Sequence, residues 1–154
     1  MKNFEILKNF SETIGIDFFS TPFDNESADY LDSIGVKIFK IASFDTVNIP
    51  LLKKVGSFKK TIIMSTGMTN ESELDDAYNL LKKETDKIVL LHCVSSYPLD
   101  ERYANLNVIN TLRNKYDCLI GYSDHTNDIK IPLYAVAAGA QVIEKHYKIS
   151  NEMD

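Results

Sequence analysis

The sequence predicts an α/β fold with a parallel sheet, equivalent to strands 3–8 of the eight strands of a TIM (β/α)8 barrel. First, six short apolar runs alternate with helix-like segments, which is the pattern of repeated β–α–β units. Second, the runs begin about 20 to 30 residues apart, which leaves room for a crossover helix between parallel strands. Third, every run ends in polar or charged side chains. A barrel collects such groups from all its strands at one face, whereas a doubly wound sheet concentrates them at a switch point.

The N-terminal half contains three of the predicted strands. Apolar residues recur with a helical period over residues 4–15, and Gly15 ends this helix. Residues 16–23 form an apolar run closed by Pro22, which predicts the first strand. A helix over 27–34 leads to a strand over 36–43. A short helix over 51–55, with Pro50 in its first turn, leads to a strand over 61–67.

The C-terminal half repeats the alternation. A helical period follows Thr69 and Ser72, which are possible N-terminal caps, and a strand is predicted over 87–96. A helix from about 108 to 116 then precedes a strand over 118–123. The small residues of 131–139 predict another helix, and 141–147 is the sixth predicted strand.

Composition narrows the possible functions. The 154 residues are 44% hydrophobic and 25% charged, as expected for a globular domain or part of one. A net charge of -5 without a long basic run disfavours nucleic acid, so small molecules or other subunits are the expected partners. No signal peptide or membrane-length apolar run is visible, so we expect a cytoplasmic protein. Cys93 and Cys118 lie in apolar runs and are predicted to be buried, reduced thiols.

Two histidines follow the last two predicted strands. His125 comes just after the fifth strand, and His146 lies near the end of the sixth. If these strands are parallel neighbours, the two imidazoles approach each other and could bind a metal such as Zn, Fe, Mn or Co. Alternatively, each histidine satisfies a hydrogen bond at the rim of a barrel.

The other strand ends indicate an anionic ligand. Five hydroxyl groups and one ammonium group occupy equivalent places, and such donors commonly bind phosphate or carboxylate. They belong to Thr21, Lys40, Ser43, Ser65, Ser95 and Ser123. Each serine alone could be a turn residue, and Lys40 could also be a Schiff-base lysine or a rim charge. Asp45 is a candidate general acid or base, whereas Lys145 is predicted to point away from Glu144 and His146.

The strand-end motifs resemble those of the sialic acid synthase family, which includes the N-acetylneuraminate, legionaminic acid and pseudaminic acid synthases. The resemblance covers nearly the whole chain, with six motifs in the same order. They are 19–23 (FSTPF), 40–43 (KIAS), 65–68 (STGM), 92–98 (HCVSSYP), 121–126 (GYSDHT) and 144–147 (EKHY).

This resemblance implies an enzyme that condenses phosphoenolpyruvate with an N-acetylmannosamine-type sugar and releases phosphate, with Mn²⁺ as the divalent metal. His125 and His146 match the metal ligands. The residues that match the phosphoenolpyruvate pocket are Thr21, Lys40, Ser43, Ser65, Ser95 and Ser123. Tyr97 matches a residue near the sugar. Asp45 stands where many members have a glutamate, and Ser95 where some have asparagine. A homodimer is the expected assembly of the full-length protein.

On this resemblance, residues 1–154 form a partial (β/α)8 synthase domain. Members of the family carry two earlier strands, whose ends supply an acidic residue and another lysine, and a C-terminal antifreeze-like domain. None of these is visible in this sequence. Because six strands leave two open edges, we expect this chain alone to be inactive. The alternatives are a Schiff-base aldolase that uses Lys40, or a non-catalytic piece.

Overall fold

The structure is a computed structural model that describes residues 2–150 and 152. Helices and strands alternate along these residues. The helices are α1 (Lys2–Thr13), α2 (Asn25–Ser33), α3 (Ile49–Ser57), α4 (Glu71–Lys82), α5 (Val108–Lys115) and α6 (Ile131–Ala137). The strands are β1 (Ile38–Ile41), β2 (Thr61–Ser65), β3 (Ile88–Cys93), β4 (Leu119–Asp124) and β5 (Val142–Lys145). None of the described helices is both long and apolar enough to cross a lipid bilayer.

The chain divides into two compact units, Met1–Val89 and Leu90–Asp154. In the first unit, β1 and β2 are parallel neighbours with Lys40 opposite Ile63. The first residues of β3 follow β2 in the sheet, and Ile62 N donates to Lys87 O at 2.9 Å. The sheet side chains Phe39, Ile62 and Met64 are fully buried. The apolar runs of the sequence therefore form the core of this unit, as predicted.

In the second unit, β3, β4 and β5 are neighbours in that order. β4 and β5 are parallel, and their register pairs Ser123 with Glu144 and Asp124 with Lys145. Because side chains alternate between the two faces of a strand, this register fixes which strand-end groups meet. Cys93 is buried as predicted, whereas Cys118 is only half-buried, and neither forms a disulfide.

The first predicted strand, residues 16–23, is not a strand in the structure. Only Ser20 pairs in this segment, through an isolated parallel bridge to Phe39, and its carbonyl accepts from Lys40 N at 3.3 Å. Pro22 has no N–H to extend the ladder beyond this point. The segment therefore lies beside β1, as its apolar sequence indicated. The prediction that its whole backbone pairs as a regular strand is wrong.

The N-terminal cap of α4 also differs from the prediction. The capping residue is Asn70, not Thr69 or Ser72. Asn70 Oδ1 accepts from Glu73 N at 3.0 Å, and Glu73 Oε2 accepts from Asn70 N at 2.9 Å. This reciprocal pair is a capping box, in which asparagine replaces the more familiar serine or threonine.

Gly121 is required by the close approach of neighbouring strands in the second unit. A Cβ atom at this position would collide with the carbonyl oxygen of Val142 and lie 2.6 Å from Leu91 Cδ2. A backbone carbonyl in a parallel ladder cannot move aside without breaking the strand pairing. Gly121 is therefore needed for packing.

We expect Gly121→Ala to lower the free energy of unfolding by about 3 kcal/mol or more, because overpacking here displaces backbone. Gly56→Ala in α3 is the matched control. Its Cβ would lie 3.2 Å from Cγ of the flexible Glu84 side chain and at ordinary contact distance, 3.5 Å, from Leu81 Cδ2, and alanine favours the helix. Urea unfolding of the two variants measures the difference, and equal effects would refute the packing role of Gly121.

Candidate active site

In the first unit, a buried ammonium group lies at the end of the sheet. Lys40 is 8% exposed, and its Nζ donates to Ser65 Oγ at 2.7 Å and to the carbonyl of Ile41 at 3.1 Å. β1 and β2 deliver the two side chains, since Lys40 is the third residue of β1 and Ser65 the last of β2. The structure thus brings together two of the predicted anion-binding residues.

A short 3₁₀ helix, Ser43–Val47, carries two more of the predicted residues, Ser43 and Asp45. Ser43 Oγ accepts from Gly67 N at 3.1 Å, and Thr46 Oγ1 donates to the carbonyl of Ser65 at 3.0 Å. These bonds join the segment after β1 to the segment after β2. The hydroxyl group of Ser43 therefore helps to shape the loop.

The carboxylate of Asp45 is buried and only half satisfied. The residue is 6% exposed, and its Oδ1 accepts from Asn48 Nδ2 at 3.0 Å. Its Oδ2 is buried without any hydrogen-bond partner. A buried carboxylate oxygen without a partner costs stability, so its retention is typical of a functional group.

Thr21 lies in a different environment from Lys40. It lines a cavity of about 360 Å³ together with Ser20, Phe4 of α1 and Tyr30 of α2. The walls of this cavity are mainly apolar. The predicted convergence of Thr21 with Lys40 on one anion stays a prediction.

In the second unit, His125 is buried and oriented by backbone. Its Nδ1 lies 2.7 Å from the carbonyl of Val94, so Nδ1 carries the proton that is donated there. Burial lowers the pKa of His125 below its ordinary value of about 6.5, which favours the neutral imidazole at neutral pH. Its Nε2 therefore bears a lone pair, and Ser123 Oγ lies 3.3 Å from it.

Three aromatic rings meet at this point. The Tyr97 ring stacks on His125 with centroids 4.0 Å apart. It lies nearly perpendicular to the His146 ring, with centroids 5.5 Å apart. The two imidazole centroids are 5.7 Å apart. The structure thus brings together the two histidines that were expected to meet, with an exposed tyrosine beside them. Burial raises the pKa of this Tyr97 hydroxyl.

Ser123 links β4 to β5 on the histidine side. Its hydroxyl donates to Glu144 Oε1 at 2.6 Å, as their opposite positions in the register allow. Ser123, Glu144 and His146 also line a cavity of about 110 Å³, a volume that accommodates a small number of waters or a hydrated ion.

The residues fit a metal that keeps open coordination positions. Within residues 2–150 and 152, no group of three or more His, Cys, Asp or Glu side chains is arranged as a metal site. His125 and His146 could supply two nitrogen ligands, and waters or substrate would supply the others. A histidine that donates its other ring N–H to a carbonyl, as His125 does, is typical of metal ligands.

Ser95 lies in an exposed loop after β3. That loop is fastened to the His125 segment, since Leu99 N donates to the carbonyl of His125 at 2.8 Å. The expectation that Ser95 and Ser123 bind the same anion as Lys40 stays a prediction.

Sequence reasoning omitted Glu144 from the candidate residues, although it shares a strand face with His146. The alternation of β5 and the contact with Ser123 Oγ indicate its place in the site. It also missed the ion pair between Asp124 and Lys145, which the one-residue offset from Ser123 and Glu144 could have suggested.

Comparison with protein families matches residues 1–154 to the NeuB family. The chain is 48% identical over 141 residues to the N,N'-diacetyllegionaminic acid synthase of Campylobacter jejuni, covering 90% of this chain and 42% of that protein. It is 40% identical over 153 residues to the synthase of the same name from Legionella pneumophila, covering 96% and 43%. The chain thus spans less than half the length of these curated relatives.

A solved structure confirms the predicted fold class. The N-acetylneuraminic acid synthetase of Leptospira borgpetersenii, crystallised with citrate, matches 97% of this chain with a TM-score of 0.94 and 48% identity. The match covers 52% of that chain. The six strand-end motifs predicted a parallel α/β arrangement of the barrel type. The structural match shows that the chain has this arrangement.

We expect Asp45→Asn to raise the free energy of unfolding by about 1 kcal/mol, because a neutral amide loses less solvation than an unpaired carboxylate. Asp17→Asn is the control, since Asp17 is exposed and pairs with Lys37 at 3.3 Å. Chemical denaturation of both ligand-free variants provides the measurement. If Asp45→Asn were destabilising, the carboxylate would be structural.

Proposed function

The chain belongs to the NeuB family, and from this premise we propose that the natural protein carrying it condenses phosphoenolpyruvate with an N-acetylmannosamine-type sugar. The products are a nonulosonic acid and phosphate. The observation that carries the proposal is the family match over residues 1–154, combined with a buried lysine and two facing histidines at the strand ends. Since the chain covers 42% of its Campylobacter relative, this activity is proposed for the whole protein.

Lys40 and Ser65 support the anionic end of the substrate. Lys40 Nζ donates a hydrogen bond to Ser65 Oγ at 2.7 Å. This bond holds the ammonium group in position before a ligand binds. Phosphoenolpyruvate carries a phosphate and a carboxylate, and both accept hydrogen bonds from ammonium and hydroxyl donors. The Leptospira relative was crystallised in complex with citrate, which, like phosphoenolpyruvate, carries several negative charges.

His125 and His146 would hold a divalent metal, proposed to be Mn²⁺. When bound, such an ion supplies a Lewis acid that polarises the aldehyde oxygen of the open-chain sugar. The neutral Nε2 of His125 is oriented for this by the Nδ1 hydrogen bond to Val94. Tyr97, stacked over His125, shields this face from water and offers a hydroxyl near the proposed sugar site.

Proton transfer is assigned to Asp45. The enol carbon of phosphoenolpyruvate forms the new C–C bond with the aldehyde carbon, the aldehyde oxygen takes up a proton to become a hydroxyl, and water then adds to the resulting cationic centre. One proton leaves that water on addition. Its second proton leaves as the tetrahedral intermediate collapses to the ketone and expels phosphate with its bridging oxygen. Asp45 Oδ2, which lacks a partner in the ligand-free structure, is the proposed acceptor of the first of these protons.

The identity of the sugar stays open among related acceptors. Identity is 48% both to a legionaminic acid synthase and to an N-acetylneuraminic acid synthetase, so similarity favours neither. A Schiff-base aldolase that uses Lys40 is disfavoured, because two hydrogen bonds to oxygen stabilise its charged form.

Phosphoenolpyruvate should raise the melting temperature of the whole protein. A ligand present at 100 times its Kd that binds only the folded state adds about 2.7 kcal/mol to the free energy of unfolding. In Lys40→Met this protection should fall by at least half, since the phosphate loses its ammonium partner. Lys54→Met is the control, because it removes a lysine paired with Asp29 at 2.6 Å in the same unit.

Thermal-shift titration of all three proteins measures the effect. Undiminished protection in Lys40→Met would exclude Lys40 as a ligand. No protection of the unmodified protein would contradict the proposed substrate.

A further inference from the structure

On the side of β4 opposite Ser123, a buried carboxylate organises the backbone after the strand. Asp124 is 1% exposed. Its Oδ1 accepts from Thr126 N at 3.1 Å, and its Oδ2 accepts from Thr126 Oγ1 at 3.1 Å. These two bonds close a turn around the residue between them, which is His125.

Lys145 connects the same turn to β5. Its ammonium pairs with Asp124 Oδ2 and donates to the carbonyls of Thr126 at 2.9 Å and Asp128 at 3.2 Å. Three acceptors match the three protons of an ammonium group. The whole donor capacity of this lysine is thus directed at the segment that follows β4.

The residues of this network are sequence neighbours of the two histidines. Asp124 and Thr126 flank His125, and Lys145 immediately precedes His146. The network therefore joins the backbone on both sides of one histidine to the residue beside the other. Because side chains alternate along a strand, the ion pair does this from the face opposite Ser123 and Glu144.

We propose that Asp124 and Lys145 are positioning residues that set the distance between the imidazoles of His125 and His146. The metal-related part of this inference rests on the proposed function, whereas the ring geometry can be tested without any metal. A pair with a purely structural role would contribute to stability but leave the ring geometry unchanged when it is weakened.

The test uses the natural protein carrying this chain and two readouts. NMR measures, in metal-free protein, the ring-current shift that Tyr97 imposes on the ring protons of both His125 and His146, which changes when the two imidazoles move relative to each other. Titration with Mn²⁺ measures affinity, with His125→Ala as the reference for a lost ligand. In Lys145→Met we expect the ring shift to fall by at least half and Mn²⁺ affinity to fall about 10-fold or more.

Lys145→Arg, which keeps the charge and the donors, should restore most of both signals. Lys60→Met is the matched control: Lys60 pairs with Asp32 at 2.6 Å, and its side chain is 27% exposed compared with 28% for Lys145. It should change neither signal. If Lys145→Met fails to fold, Thr126→Val removes the hydroxyl group that donates to Asp124 Oδ2 at 3.1 Å and lies 3.3 Å from the carbonyl of Asp128, and it should reduce both signals in the same direction.

Unchanged ring shifts in Lys145→Met, or in Thr126→Val where Lys145→Met does not fold, would overturn the proposal. Reduced Mn²⁺ affinity with an intact ring shift would also overturn it, because Lys145 would then affect the metal without setting the geometry of the rings. If the unmodified protein bound no Mn²⁺ but the variant lost its ring shift, the positioning role would stand and the proposed metal would fail.

Discussion

The parallel register of β4 and β5 is the constraint on which the second unit depends. It places Ser123 opposite Glu144 and Asp124 opposite Lys145. Because successive side chains face opposite sides, one pair serves the histidine face and the other ties down the backbone behind it. A shift of one residue would exchange these faces and separate the two imidazoles, whose centroids are now 5.7 Å apart.

The buried charged groups differ in how completely their hydrogen-bonding capacity is satisfied. Lys40 Nζ donates two hydrogen bonds and each carboxylate oxygen of Asp124 accepts one from Thr126, and these bonds offset part of the cost of burying the charges. Asp45 is different, because one carboxylate oxygen is buried without a partner. This unsatisfied oxygen is the reason that Asp45, and not Asp124, is the proposed proton acceptor.

The sequence was sufficient for the fold class and for the meeting of His125 with His146, because period and strand order determine both. It failed where local partners decide the outcome. Asn70 is the cap instead of Thr69 or Ser72, since its side chain and that of Glu73 each accept from the other's backbone N–H. Residues 16–23 pair only at Ser20, and the role of the Val94 carbonyl as the partner of His125 cannot be read from side-chain identity.

The fate of the bridging oxygen of phosphoenolpyruvate tests the proposed reaction most directly. The whole protein would be incubated with Mn²⁺, an N-acetylmannosamine-type sugar and phosphoenolpyruvate labelled with ¹⁸O at the C–O–P position. If water adds to carbon and phosphate leaves, the label must appear in the released phosphate, and its release must require the sugar. Label retained in the organic acid, or phosphate released without sugar, would contradict the account.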